Sequence, residues 1–114
     1  MKIKIEGVDP EMIANNILPS APIHPGEILK DEIESRGITQ KALAEQIGLA
    51  PSVLNEVLNG KRAMTIEYAL LLEAALGIEA DLWINLQMQY NRHVAQSNPS
   101  FMKRLAGIRR IAAL

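Results

Sequence analysis

The sequence predicts an all-α fold: five short helices in a compact bundle, with a short N-terminal strand or arm ahead of it and an extra C-terminal helix behind it. Three observations carry that prediction. Gly37, Gly48, Gly60 and Gly77 each follow an apolar-periodic segment, as left-handed C-terminal glycines of helices do. Thr39, Thr65 and Asp81 stand just ahead of the next periodic segment, where N-caps belong. The links left between segments are only a few residues long, as neighbouring helices of a bundle require. The segments so marked are 25–36, 40–47, 51–58, 66–76 and 82–92.

Taken in order, an arm of residues 1–22 comes first. Lys2-Ile3-Lys4-Ile5-Glu6 alternates with the period of a strand, the one good strand signal in the chain. A single strand is not stable alone, so residues 2–6 either stay disordered or pair with something outside their own chain. Residues 9–18 read as a short helix that ends before Pro19, and Pro19, Pro22 and Pro25 mark an extended linker. The bundle proper spans residues 23–92. Its first helix opens on His24-Pro25-Gly26-Glu27, with Pro25 in the first turn, where a missing N–H costs nothing. Ile28, Leu29 and Ile33 form the expected inward stripe. The segment IEYALLLEAAL (66–76) is apolar nearly all round, which predicts the most buried element. In 82–92, Trp83, Leu86 and Tyr90 share one face, with Trp83 as a core plug. Residues 93–114 hold the last helix, opened by Asn98-Pro99. There Phe101, Leu105, Ile108 and Ala112 make one apolar stripe beside Lys103, Arg104, Arg109 and Arg110. Phe101, Leu105 and Ile108 read as a dimer seam, or else as a face folded back onto the chain's own domain.

Composition fits one small domain. Of 114 residues, 48% are hydrophobic and 22% charged, enough apolar material for a core and too balanced for wholesale disorder. Twelve Lys and Arg against 13 Asp and Glu give a formal charge of −1, unlike a uniformly basic polymer binder. That total hides an asymmetry: residues 1–60 carry 5 basic and 9 acidic side chains, residues 61–114 carry 7 basic and 4 acidic. One end suits a polyanion, the other a basic partner. With no Cys there is no disulfide framework and no thiolate chemistry. The longest apolar stretch is far too short for a bilayer, and the N-terminus MKIKIEGVDP has no apolar signal-peptide region. A soluble, cytoplasmic protein without a membrane partner is expected.

The informative stretch is Thr39 to Asn59, TQKALAEQIGLAPSVLNEVLN. Two short helices meet at Gly48, which supplies the positive φ of a tight turn. Ala44 is small enough to let the second helix cross closely, and Leu43, Ile47, Leu49, Leu54 and Val57 supply a shared core. The small residue, the turn glycine and the five apolar positions resemble the helix-turn-helix of phage-repressor-like, Xre-type DNA-binding proteins. The second helix divides into faces: Val53, Leu54, Val57 and Leu58 inward, Ser52, Asn55, Glu56 and Asn59 outward. A helix in the major groove needs short polar side chains near its N-terminus, and Ser52 and Asn55 carry suitable donors and acceptors. Pro51 stiffens that turn and is placed to touch a thymine methyl. Thr39, Gln40 and Lys41 open the preceding helix, where a phosphate can be held; Lys61 and Arg62 are placed to neutralise phosphates at the groove edge. Glu56 repels phosphates unless it accepts from a cytosine amine. An acidic single domain with such a face should bind DNA weakly, so tight binding calls for a dimer on two half-sites.

HPGEIL, then LNGKRAMTIEYALLLEAALG, then DLWINLQMQYN extend the likeness over residues 23–92, which is similar to HigA/VapI-type antitoxins of bacterial toxin–antitoxin modules. The resemblance implies a double role: repression of its own operon through a palindromic operator on double-stranded DNA, usually as a homodimer, and silencing of a small basic HigB-type ribonuclease toxin, RelE-like and mRNA-cleaving. The arm MKIKIEGVDPEMIANNILPSAP lies outside that likeness and inherits no role from it. The residues themselves add that Glu27, Asp31, Glu32 and Glu34 cluster on the first helix, complementary to a basic toxin. A toxin-facing surface is therefore expected at Ile3, Ile5, Glu27, Asp31 and Glu34, with the strand adding to a sheet edge of the toxin.

No enzyme is expected. His24 and His93 are far apart and outside any metal-ligand spacing, and His24 reads as a residue that starts a helix. No glycine-rich phosphate cradle or nucleophile elbow occurs, so neither a metal nor a cofactor nor a small-molecule substrate is expected. Two other readings stay open from the residues: a stand-alone Xre-type repressor without a toxin partner, and a helical interaction module that has lost DNA binding.

Overall fold

The computed structural model describes residues 22–113. All regular structure among them is helical: α1 (Pro25–Ser35), α2 (Gln40–Ile47), α3 (Pro51–Leu58), α4 (Ile66–Leu76), α5 (Ala80–Gln96) and α6 (Pro99–Ala112). The strand expected at 2–6 and the helix expected at 9–18 lie outside the described residues.

Local chemistry sets most helix ends. Thr39 Oγ1 accepts from Ala42 N–H at 3.1 Å, Thr65 Oγ1 from Tyr68 N–H at 3.1 Å, and Asn98 Oδ1 from Phe101 N–H at 3.1 Å. Each satisfies a donor that the first helical turn leaves open. Gly48 and Gly77 close α2 and α4 at φ of 69° and 71°. The expected N-cap at Asp81 is corrected. Helix α5 begins at Ala80 behind Glu79, whose side chain makes no capping bond. The Ala80 N–H is instead satisfied by Glu73 Oε2 of α4, at 2.7 Å. Asp81 sits in the first turn, where it favours the helix dipole. At its other end α5 continues through Gln96, past the expected stop at 92.

The core runs through the first five helices. Leu29, Leu43, Ala44, Ala69 and Trp83 are fully buried, and Leu54, Val57, Leu58 and Leu72 nearly so. Trp83 is the core plug its spacing suggested, and its indole N–H has no hydrogen-bond partner among the described residues. Two expectations about faces are corrected. Ile28 is 38% exposed and lies off the inward stripe of Leu29 and Ile33. Helix α4 buries Ala69, Leu72 and Leu76 but leaves Ile66 61% and Leu70 53% exposed, so its all-round apolarity exceeds what its neighbours cover.

One glycine is required by packing rather than by φ. A Cβ at Gly26 would overlap the Val57 carbonyl oxygen and lie 2.8 Å from its carbonyl carbon, so the first turn of α1 rests directly on the backbone of α3. Gln87, buried on α5, accepts from Met64 N–H at 2.7 Å and pins the loop before α4. Helix α6 packs against α5 and buries none of its residues.

Candidate nucleic-acid interface

Helices α2 and α3 form the two arms of the site. Leu49 N–H donates to Ala44 O at 2.9 Å across the turn, and Gly48 takes the left-handed conformation between them. Ala44 is fully buried where α3 crosses, which is what its small side chain permits. Helix α3 has Pro51 in its first turn and no side-chain cap. Its inner face is Leu54, Val57 and Leu58, all buried, with Val53 half-buried beside them.

The outer face carries the polar groups in the expected order. Pro51, Ser52, Asn55 and Asn59 are exposed. Asn55 Nδ2 donates to Gln40 Oε1 at 3.1 Å, joining α3 to the start of α2. Asn59 Nδ2 donates to Asn55 Oδ1 at 3.1 Å and to Asn55 O at 2.9 Å. Gln40, Asn55 and Asn59 thus form one amide row whose orientations are mutually fixed. Amides of this type pair with adenine edges in a major groove, and a held orientation lowers the entropy lost on contact.

Cations flank the row. Lys41, Lys61 and Arg62 are exposed, as are the Thr39 cap and its side chain. Lys61 N–H donates to Glu56 O at 2.8 Å, tying the loop after α3 back onto the helix. Glu56 is half-buried, and its Oε2 lies 3.3 Å from the Arg62 guanidinium, an ion pair about 42–43% exposed on each side. Its charge is therefore directed to Arg62 rather than presented freely beside Asn55.

His24 supports this loop from beneath. It is buried, its Nδ1 accepts from Gly26 N–H at 2.9 Å, and its ring meets Tyr90 edge-on at 4.9 Å between centroids. A Cβ at Gly60 would lie 3.6 Å from His24, so the loop that bears Lys61 and Arg62 packs on this imidazole. Burial pushes the His24 pKa down from 6.5, against the Glu27 carboxylate and a hydrogen bond with the Arg62 backbone, which favour the charged form. The neutral ring is the form that caps α1.

The other expected residues fall elsewhere. Glu27, Asp31 and Glu34 are exposed on α1, while Glu32 is held at 2.8 Å by Arg36. Glu27, Lys30 and Asp31 line an open cleft with Leu58 and Asn59 at the end of α3, so the acidic helix adjoins the amide row. Ile3 and Ile5 lie outside the described residues. On α6, Phe101 is 41% and Ile108 54% exposed and Leu105 half-buried, an apolar face only partly covered among the described residues. Among the described residues no group of three or more His, Cys, Asp or Glu is placed to hold a metal, and no helix is long and apolar enough to cross a membrane. Sequence reasoning missed the Glu56–Arg62 pair, the Gln87 bond to Met64 and the closeness of Gly26 to Val57. All three depend on how separate elements meet, and only the HPGE and WINLQ strings hinted at the last two.

The Helix-turn-helix family matches residues 29–83, which contain α2, α3 and α4 whole. Virulence-associated protein I of Dichelobacter nodosus is 36% identical over 77 residues, covering 67% of this chain and 71% of that protein. An addiction module antidote protein of a HigA family from Coxiella burnetii superposes with a TM-score of 0.62 at 34% identity, over 66% of this chain and 83% of that one. The Pseudomonas aeruginosa antitoxin HigA, solved with the higBA promoter, superposes with a TM-score of 0.65 at 30% identity, over 74% of this chain and 90% of its own.

Proposed function

This chain belongs to the HigA family of helix-turn-helix proteins, and we propose that it is the antitoxin of a type II toxin–antitoxin module. In this reading it represses its own operon by sequence-specific DNA binding and neutralises a RelE-like mRNA-cleaving toxin of the HigB type, in the cytoplasm. The observation that carries the DNA half is the face of α3: Ser52, Asn55 and Asn59 stand outward over buried Leu54, Val57 and Leu58. Seated in a major groove, Pro51, Ser52, Asn55 and Asn59 meet base edges, and Thr39, Gln40, Lys41, Lys61 and Arg62 meet phosphates. Glu56 lies at the rim of that contact, where it tunes Arg62. That the Pseudomonas aeruginosa HigA was solved with the higBA promoter supports DNA binding by a chain of this fold.

For the toxin half, Glu27, Asp31 and Glu34 offer an acidic face, and Ile3 and Ile5 of the arm offer a strand to a sheet edge. Phe101, Leu105 and Ile108 join two copies, so that two α3 helices address the two halves of a palindrome.

Fluorescence anisotropy with DNA from upstream of the chain's own gene tests the reading. Asn55→Ala should weaken binding by about 1–3 kcal/mol and relax sequence preference at one base pair. Arg62→Ala should weaken all sequences alike and flatten the salt dependence by about one phosphate. No binding by the intact chain would remove the repressor reading. Co-purification of the chain with the product of an adjacent small basic reading frame tests the toxin half separately. Operator binding without any such partner would favour a stand-alone repressor.

A further inference from the structure

An apolar groove beside the start of α1 lies outside the residues proposed above for DNA, toxin and dimer contact. Pro22, Ile23 and Ile28 form one wall, and Leu86, Tyr90 and His93 of α5 form the other, around about 230 Å³. Ile23 is 54% and Ile28 38% exposed, although isoleucine is among the side chains most often buried. Gln89 completes the lining, and among the described residues no carboxylate, Lys or Arg joins it.

The chain itself arrives here. Pro22 lies in the groove wall, so residues 1–21 depart from its rim. In the sequence of that arm, Asp9-Pro10 repeats the cap-and-first-turn signal of Asn98-Pro99. At helical spacing Ile13, Ala14, Ile17 and Leu18 fall within one arc, with Glu11, Asn15 and Asn16 outside it. Only Pro19, Ser20 and Ala21 separate Leu18 from Pro22, a reach of roughly 13 Å, which confines any apolar face of the arm to this neighbourhood.

We propose that residues 9–18 dock as an amphipathic helix into this groove of their own chain, with Ile13 and Ile17 against Ile23, Ile28, Leu86 and Tyr90. That docking holds whether or not the protein has a toxin, and its test involves none.

The chain has no cysteine, so introduced pairs report cleanly. In the full-length protein, Ile13→Cys and Ile17→Cys are each combined with Gln89→Cys, exposed at the groove. The control joins Ile17→Cys to Lys30→Cys, exposed on α1 but off the groove. Under mild oxidation of a dilute sample, at least one groove pair should close within the monomer about tenfold faster than the control, since disulfides demand Cβ atoms in close register. Equal rates would show a swinging tether, and disulfide-linked dimers would show the arm of a second copy; either result overturns the proposal. In the unsubstituted chain, nuclear Overhauser contacts should join Ile13 or Ile17 methyls to the Tyr90 ring, and their absence overturns it as well.

Discussion

The Arg62 guanidinium has two claimants, the Glu56 carboxylate and, in the proposed complex, a DNA phosphate. The ion pair at 3.3 Å is exposed enough that its own contribution to stability is small, typically below about 1 kcal/mol. Its effect on a polyanion is larger, because DNA must displace Glu56 and then tolerate its charge nearby. Glu56→Gln keeps the shape, frees Arg62 and removes the repulsion. It should tighten operator binding about three- to tenfold with little change in thermal midpoint, as read by anisotropy and calorimetry. Weaker binding would mean that Glu56 accepts from a base instead. His24, packed under the same loop at Gly60, sets a pH dependence. Its folded pKa is lowered, so the unfolded chain binds the extra proton first as pH falls. Stability from this residue is complete above 6.5 and drains away as pH drops through the lowered folded value. His24→Asn retains a cap acceptor and should flatten urea midpoints over that window, whereas an unchanged slope would assign it to other groups.

At the scale of elements, the crossing of α1 over α3 leaves no room for a side chain where Gly26 rests on the Val57 carbonyl. Gly26→Ala must push backbone from backbone. It should cost about 1–3 kcal/mol in chemical denaturation and also weaken DNA binding, because α3 carries the amide row. Wild-type stability would show that α1 can lift without loss. This joint also shows where sequence is readable and where it is not. The caps at Thr39, Thr65 and Asn98 lie within three residues of the N–H they satisfy, so a short window of sequence contains both partners. The start of α5 was misplaced because its capping acceptor, Glu73, belongs to the preceding helix. Gln87 caps Met64 from 23 residues away, beyond any local pattern. The outward set Ser52, Asn55 and Asn59 follows from helical period alone, whereas the half-burial of Glu56 depends on the loop that brings Arg62 back. The surplus apolarity of α4 is visible as composition, but which part stays exposed is decided by neighbours, and among the described residues these leave Ile66 61% and Leu70 53% exposed.

For the whole molecule the decisive quantity is how many copies meet the duplex. A net charge of −1 gives little general attraction to DNA, and one amide row with three flanking cations makes few contacts. Two copies joined so that their α3 helices stand about 34 Å apart engage successive major grooves, and the second contact then forms at a high effective concentration. Helix α6 is suited to that joint: it buries none of its own residues, leaves Phe101, Ile108 and Ile111 uncovered, and packs against α5 rather than closing the core. A chain ending at Ser97 should therefore keep a cooperative thermal transition while sedimenting as a monomer. Its affinity for a full palindrome should fall about a hundredfold or more, towards that of the intact chain for a single half-site. If the shortened chain remains a dimer, the joint lies on another uncovered face, of which Ile66 and Leu70 on α4 are the nearest in character, and Ile66→Asp with Leu70→Asp would then produce the monomer instead. If it is monomeric yet binds the palindrome as tightly as before, each α3 acts alone, and the polar face of one helix carries more of the affinity than its few contacts suggest.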